Sequence, residues 1–147
     1  MIGLLIIDMQ QAFDLPGWGE RSNPQAEHRA QELLAAFRSQ SRPVLHVQHV
    51  SDNPESFFHT AEAQAGIDQL VIVGLTLPHC VSTTTRMAGN LGFQVTLVAD
   101  ATASFALPDL EENPLNPELL HQVHLASLQG EFAQVLETKE VLEMLEK

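Results

Sequence analysis

Three short runs constrain this chain more than anything else in it: GLLIID (3–8), QLVIVGL (69–75) and QVTLVAD (94–100). Each is dense in Val, Ile and Leu and apolar on both faces. A strand with one wet face alternates apolar and polar side chains; a strand covered on both sides does not. The three runs therefore predict a parallel sheet sandwiched between helices. A fourth run, PVLHVQHV (43–50), is similar but carries two histidines and a glutamine. Its Pro43 stands where a strand start tolerates proline.

Helical patterns lie between the runs. NPQAEHRAQELLAAFRSQ (23–40) has Asn23 as candidate N-cap, Pro24 at the first helical position, and apolar residues at helical spacing: Ala26, Ala30, Leu33, Leu34 and Phe37. VSTTTRMAGNLG (81–92) stops at Gly92, NPELLHQVHLASLQG (116–130) again opens on Asn-Pro, and TKEVLEMLEK (138–147) is a short last helix. FAQVL (132–136) fits one more edge strand. Alternating strands and helices predict an α/β fold: a three-layer doubly wound sandwich on a mostly parallel sheet of about five or six strands. In such sheets ligands bind beyond the carboxyl ends of the strands, near the point where strand order reverses. Asp8, His49, Thr76 to Cys80 and Asp100 fall at or just past those ends. The connection from His59 to Gln69 is short, at the lower limit of about ten to a dozen residues for a parallel crossover.

Composition narrows the partners. With 147 residues the chain fits one domain, and 44% apolar residues suffice for a core. Nineteen acidic residues stand against 7 basic ones, a net charge of −12. Nucleic acid and anionic membrane surfaces both call for clustered Lys and Arg, so neither is an expected partner. No apolar run reaches the roughly 18 to 20 residues of a membrane span. MIGLLIIDMQ has no basic leader and no small-residue cleavage site. The expected location is the cytoplasm.

Cys80 is the only cysteine, which excludes an internal disulfide framework and a multi-cysteine zinc site. One reading of it is a packed core thiol. The other rests on its place between a strand and the first turn of a helix. There the positive end of the helix dipole lowers a thiol pKa, and free N–H groups can hold an oxyanion. A nucleophilic cysteine also needs a proton acceptor. Asp8 follows four apolar strand residues, where a carboxylate is costly to bury unless something pairs with it. If the first strand is central, Asp8 and Cys80 can meet across the rim; otherwise Asp8 is a cap or loop carboxylate.

Three blocks together carry a family resemblance. LLIIDMQQAF resembles the opening of the isochorismatase-like cysteine hydrolases. VIVGLTLPHCVSTTTRMAGNLGFQVTLVADATASF is similar to their nucleophile segment, and HLASLQGEFAQVLET to their last helix and strand. The family includes nicotinamidases, isochorismatases and carbamoylsarcosine amidases, and its fold is a doubly wound α/β sandwich. The resemblance implies Cys80 as nucleophile, Asp8 as the carboxylate that takes its proton, and a thioester intermediate. It further implies a cis peptide at Leu75–Thr76 and an oxyanion hole from the backbone N–H groups of Thr76 and Cys80. Dimers or tetramers, a small-molecule substrate and hydrolysis of a small amide or related C–N bond are the matching expectations.

The chain also departs from that pattern. The family triad contains a lysine between the second strand and the nucleophile strand, and here the only lysines are Lys139 and Lys147. The domain reading is thus one domain over 1–147 with an apparent internal deletion, or an omitted stretch, near 59–61. Such a chain is either a hydrolase working on Asp8 and Cys80 or a catalytically impaired relative that binds a small molecule or partner. Arg86 is a substitute cation or a surface residue, and at most one of His46 and His49 reaches the rim. The metal-binding Asp-x-His of nicotinamidases aligns with VQHVSD, so neither metal nor cofactor is expected. His121 and His124, three apart on one helix face, read as surface residues. Gln10, Phe13, Trp18, His49, Phe57 and His79 are candidate pocket residues.

Overall fold

The computed structural model describes residues 1–9, 18–47 and 66–146. Strand β1 (Ile2–Ile7) is buried at all six positions, as its two-sided apolar character requires. Helix α1 (Ala26–Ser39) leads to β2 (Val44–Val47), and β3 (Gln69–Gly74) runs into a π-turn at Leu77–Val81 and helix α2 (Ser82–Asn90). Strand β4 (Gln94–Thr102) follows, then a ribbon of β5 (Leu107–Pro108) and β6 (Pro114–Leu115). Helix α3 (Pro117–Leu128), β7 (Gln134–Leu136) and α4 (Thr138–Leu145) complete the order.

The main sheet has five strands in the order β2-β1-β3-β4-β7, and every neighbouring pair is parallel. Helices cover both faces. Leu4 and Ile6 of β1, Val71 and Val73 of β3 and Val98 of β4 pack with Leu33 and Phe37 of α1 and Val141 and Leu145 of α4. The alternate residues Leu5, Ile7, Ile72 and Leu97 pack with Leu77 and Val81 of the π-turn, Ala88 of α2 and Leu128 of α3. The period-two split between the two clusters is the strand pleat expressed as a three-layer sandwich. Among the described residues no helix is long and apolar enough to cross a membrane.

Several local expectations change. PVLHVQHV is not a buried central strand. Only Val44–Val47 is assigned as strand among its described residues; it forms a half-buried edge with His46 exposed, while 48–50 lie outside the described residues. Asn23 does not cap α1. The helix starts at Ala26 after Gln25, and Asn23 adopts a left-handed φ of 41°, a conformation asparagine tolerates. Its amide donates instead to the carbonyls of Asp100 and Thr102 at 2.8 and 2.7 Å. By contrast Asn116 caps α3 as its Asn-Pro signal predicts, accepting from Leu119 N at 3.0 Å.

Asp100 is not free for chemistry at the rim. Its Oδ1 accepts from both Thr138 N and Thr138 Oγ1 at 2.8 Å, and its Oδ2 pairs with Arg29 at 3.3 Å. The carboxylate ties α1 and α4 to β4.

Candidate active site

The chain runs from β1 to β2 on one side and continues at β3 on the other, so strand order reverses between β1 and β3. Crevices of open α/β sheets form beyond the strand ends at such a point. The two strands stay close to their last residues: Ile7 pairs with Gly74, and Leu75 N donates to Ile7 O at 2.9 Å. Glycine is required there. A Cβ on residue 74 would lie 2.0 Å from the Ile7 carbonyl oxygen, and φ is +139°.

Asp8 follows β1 directly. It is 2% exposed, its backbone turns at φ 47°, and its N–H donates to Val47 O at 2.8 Å. Beyond β3 the Leu75–Thr76 peptide is cis, Leu77 N donates to Ala103 O at 2.8 Å, and the π-turn carries His79 and Cys80. These steps bring the Asp8 carboxylate to the Cys80 thiol, which it hydrogen-bonds.

The thiol's environment overturns one expectation. Cys80 is not the first residue of an ordinary helix, because it lies within the π-turn ahead of α2. Its pKa is raised, not lowered, to about 11. Burial is the largest cause, followed by the hydrogen bond to Asp8 and that carboxylate's charge; its own backbone N–H pulls weakly the other way. A half-buried thiol facing a carboxylate keeps its proton. Among the described residues no cation offsets this.

Arg86 does not serve: its guanidinium donates to Ser127 Oγ at 3.0 Å and lies 4.6 Å from the Phe132 ring centroid. Lys139 pairs with Glu143 at 3.8 Å on the exposed side of α4.

His79 is exposed, and its Nδ1 lies 2.9 Å from Thr76 Oγ1, bracing the loop between β3 and the thiol. Trp18 stacks obliquely on Phe105, centroids 5.6 Å apart, and Arg21 lies 5.7 Å from the same ring. Phe105 and the Thr76–His79 brace are features that sequence reasoning missed; neither spacing nor composition marks them. Gln10, Phe13, His49 and Phe57 lie outside the described residues. His121 is buried, contrary to the surface reading. Its Nε2 lies 3.1 Å from Thr102 Oγ1, which itself donates to Ala99 O, and burial lowers its pKa. Among the described residues no three His, Cys, Asp or Glu side chains converge in a way that would hold a metal ion.

The model of the isochorismatase domain matches residues 55–140, more than half of the chain. The chain belongs to the isochorismatase family. It is 36% identical to the uncharacterized isochorismatase family protein YrdC of Bacillus subtilis, covering 95% of this chain and 93% of that one. That alignment runs over 174 positions, more than the 147 residues present here, so the relative carries residues without counterpart in this chain. Among solved structures, a hydrolase assigned to the isochorismatase family from Chromobacterium violaceum superposes with a TM-score of 0.84. The two are 32% identical, with 98% of this chain and 93% of the other covered. A cysteine hydrolase from Pseudomonas syringae pv. phaseolicola has a TM-score of 0.83 over 99% of this chain and 92% of its own, at 19% identity. A likeness at that identity speaks for the shared isochorismatase fold.

Proposed function

We propose that this isochorismatase-family protein hydrolyses a small amide or related C–N bond with Cys80 as nucleophile and Asp8 as its base. The observation that carries the reading is the buried Asp8 carboxylate bonded to the chain's only thiol at the strand-order switch point. Because the thiol is protonated at neutral pH, proton transfer accompanies attack. Asp8 takes the Sγ proton as sulfur bonds the carbonyl carbon, and the backbone N–H groups of Thr76 and Cys80 stabilise the oxyanion. Asp8 then protonates the leaving amine, and the C–N bond breaks to give a thioester. Water, deprotonated by Asp8, attacks the thioester and releases the carboxylic acid; the proton returns to sulfur.

The lysine of the family pattern is not available to assist; the length of the YrdC alignment supports an internal deletion as the reason, and we place it near 59–61. An intact mass of 16.2 kDa for the expressed protein checks this, and a heavier product means the stretch is present. The same thiol also supports a second reading, binding without turnover, since nothing described lowers its pKa enough to preform a thiolate.

Ammonia release from a panel of primary amides tests the proposal. Slow turnover that disappears in Cys80→Ala and in Asp8→Asn is the expected result. Release that survives Cys80→Ala rules out the cysteine mechanism. No release, with amides still bound by wild type and Cys80→Ala alike, assigns the chain to the binding reading.

A further inference from the structure

The proposed reaction gives no role to His121, a buried titratable side chain on α3. Its place follows from an irregularity in the sheet. Strand β3 advances two residues from Ile72 to Gly74, while β4 advances five, from Leu97 to Thr102, the partner of Gly74. The extra length of β4 leaves the ladder at its carboxyl end, where such excursions redirect a chain beside reactive groups. It returns at Thr102, and the next residue, Ala103, accepts from Leu77 N at 2.8 Å.

The excursion is held from both layers. From the α1–α4 side, Asn23 donates to the carbonyls of Asp100 and Thr102, while Thr138 and Arg29 hold the Asp100 carboxylate. From the α2–α3 side, His121 Nε2 lies 3.1 Å from Thr102 Oγ1. That hydroxyl uses its single proton on Ala99 O at 3.0 Å. Both contacts form together only when Nε2 is the protonated nitrogen and donates. Burial, opposed by the charge of Glu118, lowers the His121 pKa, so near neutral pH the ring is uncharged and Nε2–H is its one donor. The tautomer is thus fixed by a partner on the strand that reaches the site.

We propose that His121 is a positioning residue: through Thr102 and Ala103 it fixes the loop that carries Thr76, whose backbone N–H holds the oxyanion in the proposed reaction. Its effect on rate rests on that reading. The chain of contacts is short. His121 holds the Thr102 side chain, Thr102 precedes Ala103, and Ala103 O holds Leu77, one residue beyond Thr76. Thr102 also pairs with Gly74, two residues before Thr76, so the same residue bears on both sides of the oxyanion donor. Such a donor works only where it is aimed at the developing charge, and a small displacement caused by a remote change lowers the rate steeply. Loss of the His121 donor leaves the bond from Thr102 to Ala99 in place, so it disturbs alignment more than folding.

Amide hydrogen exchange by NMR and steady-state ammonia release test the proposal together. The variants are His121→Leu, which removes the donor, and His121→Gln, whose amide replaces it. In His121→Leu, exchange at the Leu77 N–H should speed by about tenfold, while the amides of Ile6 and Val71 in the central strands exchange as in wild type. kcat should fall about tenfold with KM unchanged, and His121→Gln should restore most of both. Should His121→Leu fail to fold, Thr102→Val removes the same bond from the strand side, together with the bond to Ala99, and is read in the same way. Exchange at Leu77 that matches wild type overturns the proposal, as does faster exchange with kcat unmoved. Equal acceleration at Ile6, Val71 and Leu77 also overturns it, since that marks a general loss of stability. If wild type releases no ammonia, the hydrolysis reading falls, and exchange at Leu77 alone decides whether His121 fixes the loop.

Discussion

Replacing Asp8 by asparagine should make Cys80 more reactive toward a neutral disulfide while abolishing hydrolysis. Burial, the hydrogen bond to Asp8 and the charge of Asp8 push the thiol up from 9.0 to about 11, burial contributing most. Asp8→Asn leaves the burial in place and removes the charge and the ionic acceptor. Thiol–disulfide exchange at fixed pH follows the thiolate fraction, tenfold per unit, tempered by a nucleophilicity that falls with pKa by an exponent of about 0.4–0.5. A fall of about one unit therefore speeds exchange roughly three- to fourfold. A neutral dipyridyl disulfide is the appropriate reagent, because removing a negative charge does not change how often it encounters the site. Release of the pyridinethione, followed by absorbance between about pH 7 and 9, gives the rate, with Cys80→Ala as the blank. In wild type the rate should climb about tenfold per pH unit without levelling in that range. If Asp8→Asn labels no faster than wild type, the carboxylate does not act on the thiol and the base–nucleophile pairing is refuted.

Two further outcomes follow from the framework around the site. Gly74→Ala drives a Cβ to 2.0 Å from the Ile7 carbonyl oxygen at a φ of +139°, so urea denaturation should show a loss on the order of 3–5 kcal/mol. His121 titrates below its ordinary value chiefly because it is buried. The unfolded chain therefore takes up that proton first as pH falls, and the stability present above about pH 6.5 is lost as pH drops below it. In His121→Gln, which keeps a partner for Thr102 but does not titrate, denaturation should depend less on pH between about 7 and 5 than in wild type.

The strands were legible because burial on both faces leaves a continuous apolar run, a signal needing no tertiary knowledge. Two Asn-Pro dipeptides, at Asn23 and Asn116, mark where local reading stops. At Asn116 the side-chain oxygen accepts from Leu119 N and caps α3. At Asn23 the carbonyls of Asp100 and Thr102, some eighty residues away in sequence, claim the amide, and the same signal leads to a different structure. Asp100 and His121 repeat the lesson, since Thr138 and Thr102 decide what each does. Cys80 and Asp8 stand out as polar groups at apolar strand ends. The sign of the thiol's pKa shift did not, because it depends on a π-turn in place of an α-helical first turn and on a carboxylate brought over by another strand.

The split of the core into two clusters has a consequence for synthesis. The layer of α2 and α3 is built from residues 77 to 133 against the middle strands, so its pieces leave the ribosome close together. The opposite layer joins Ile2 and Phe37 to Val141 and Leu145, residues from far ends of the sequence. A nascent chain can close the first side early, yet it carries the outer flank of α1 uncovered until α4 has emerged. Chaperone contact and proteolytic nicking during translation should therefore concentrate on α1, the first of the described helices to be made and the last to be covered.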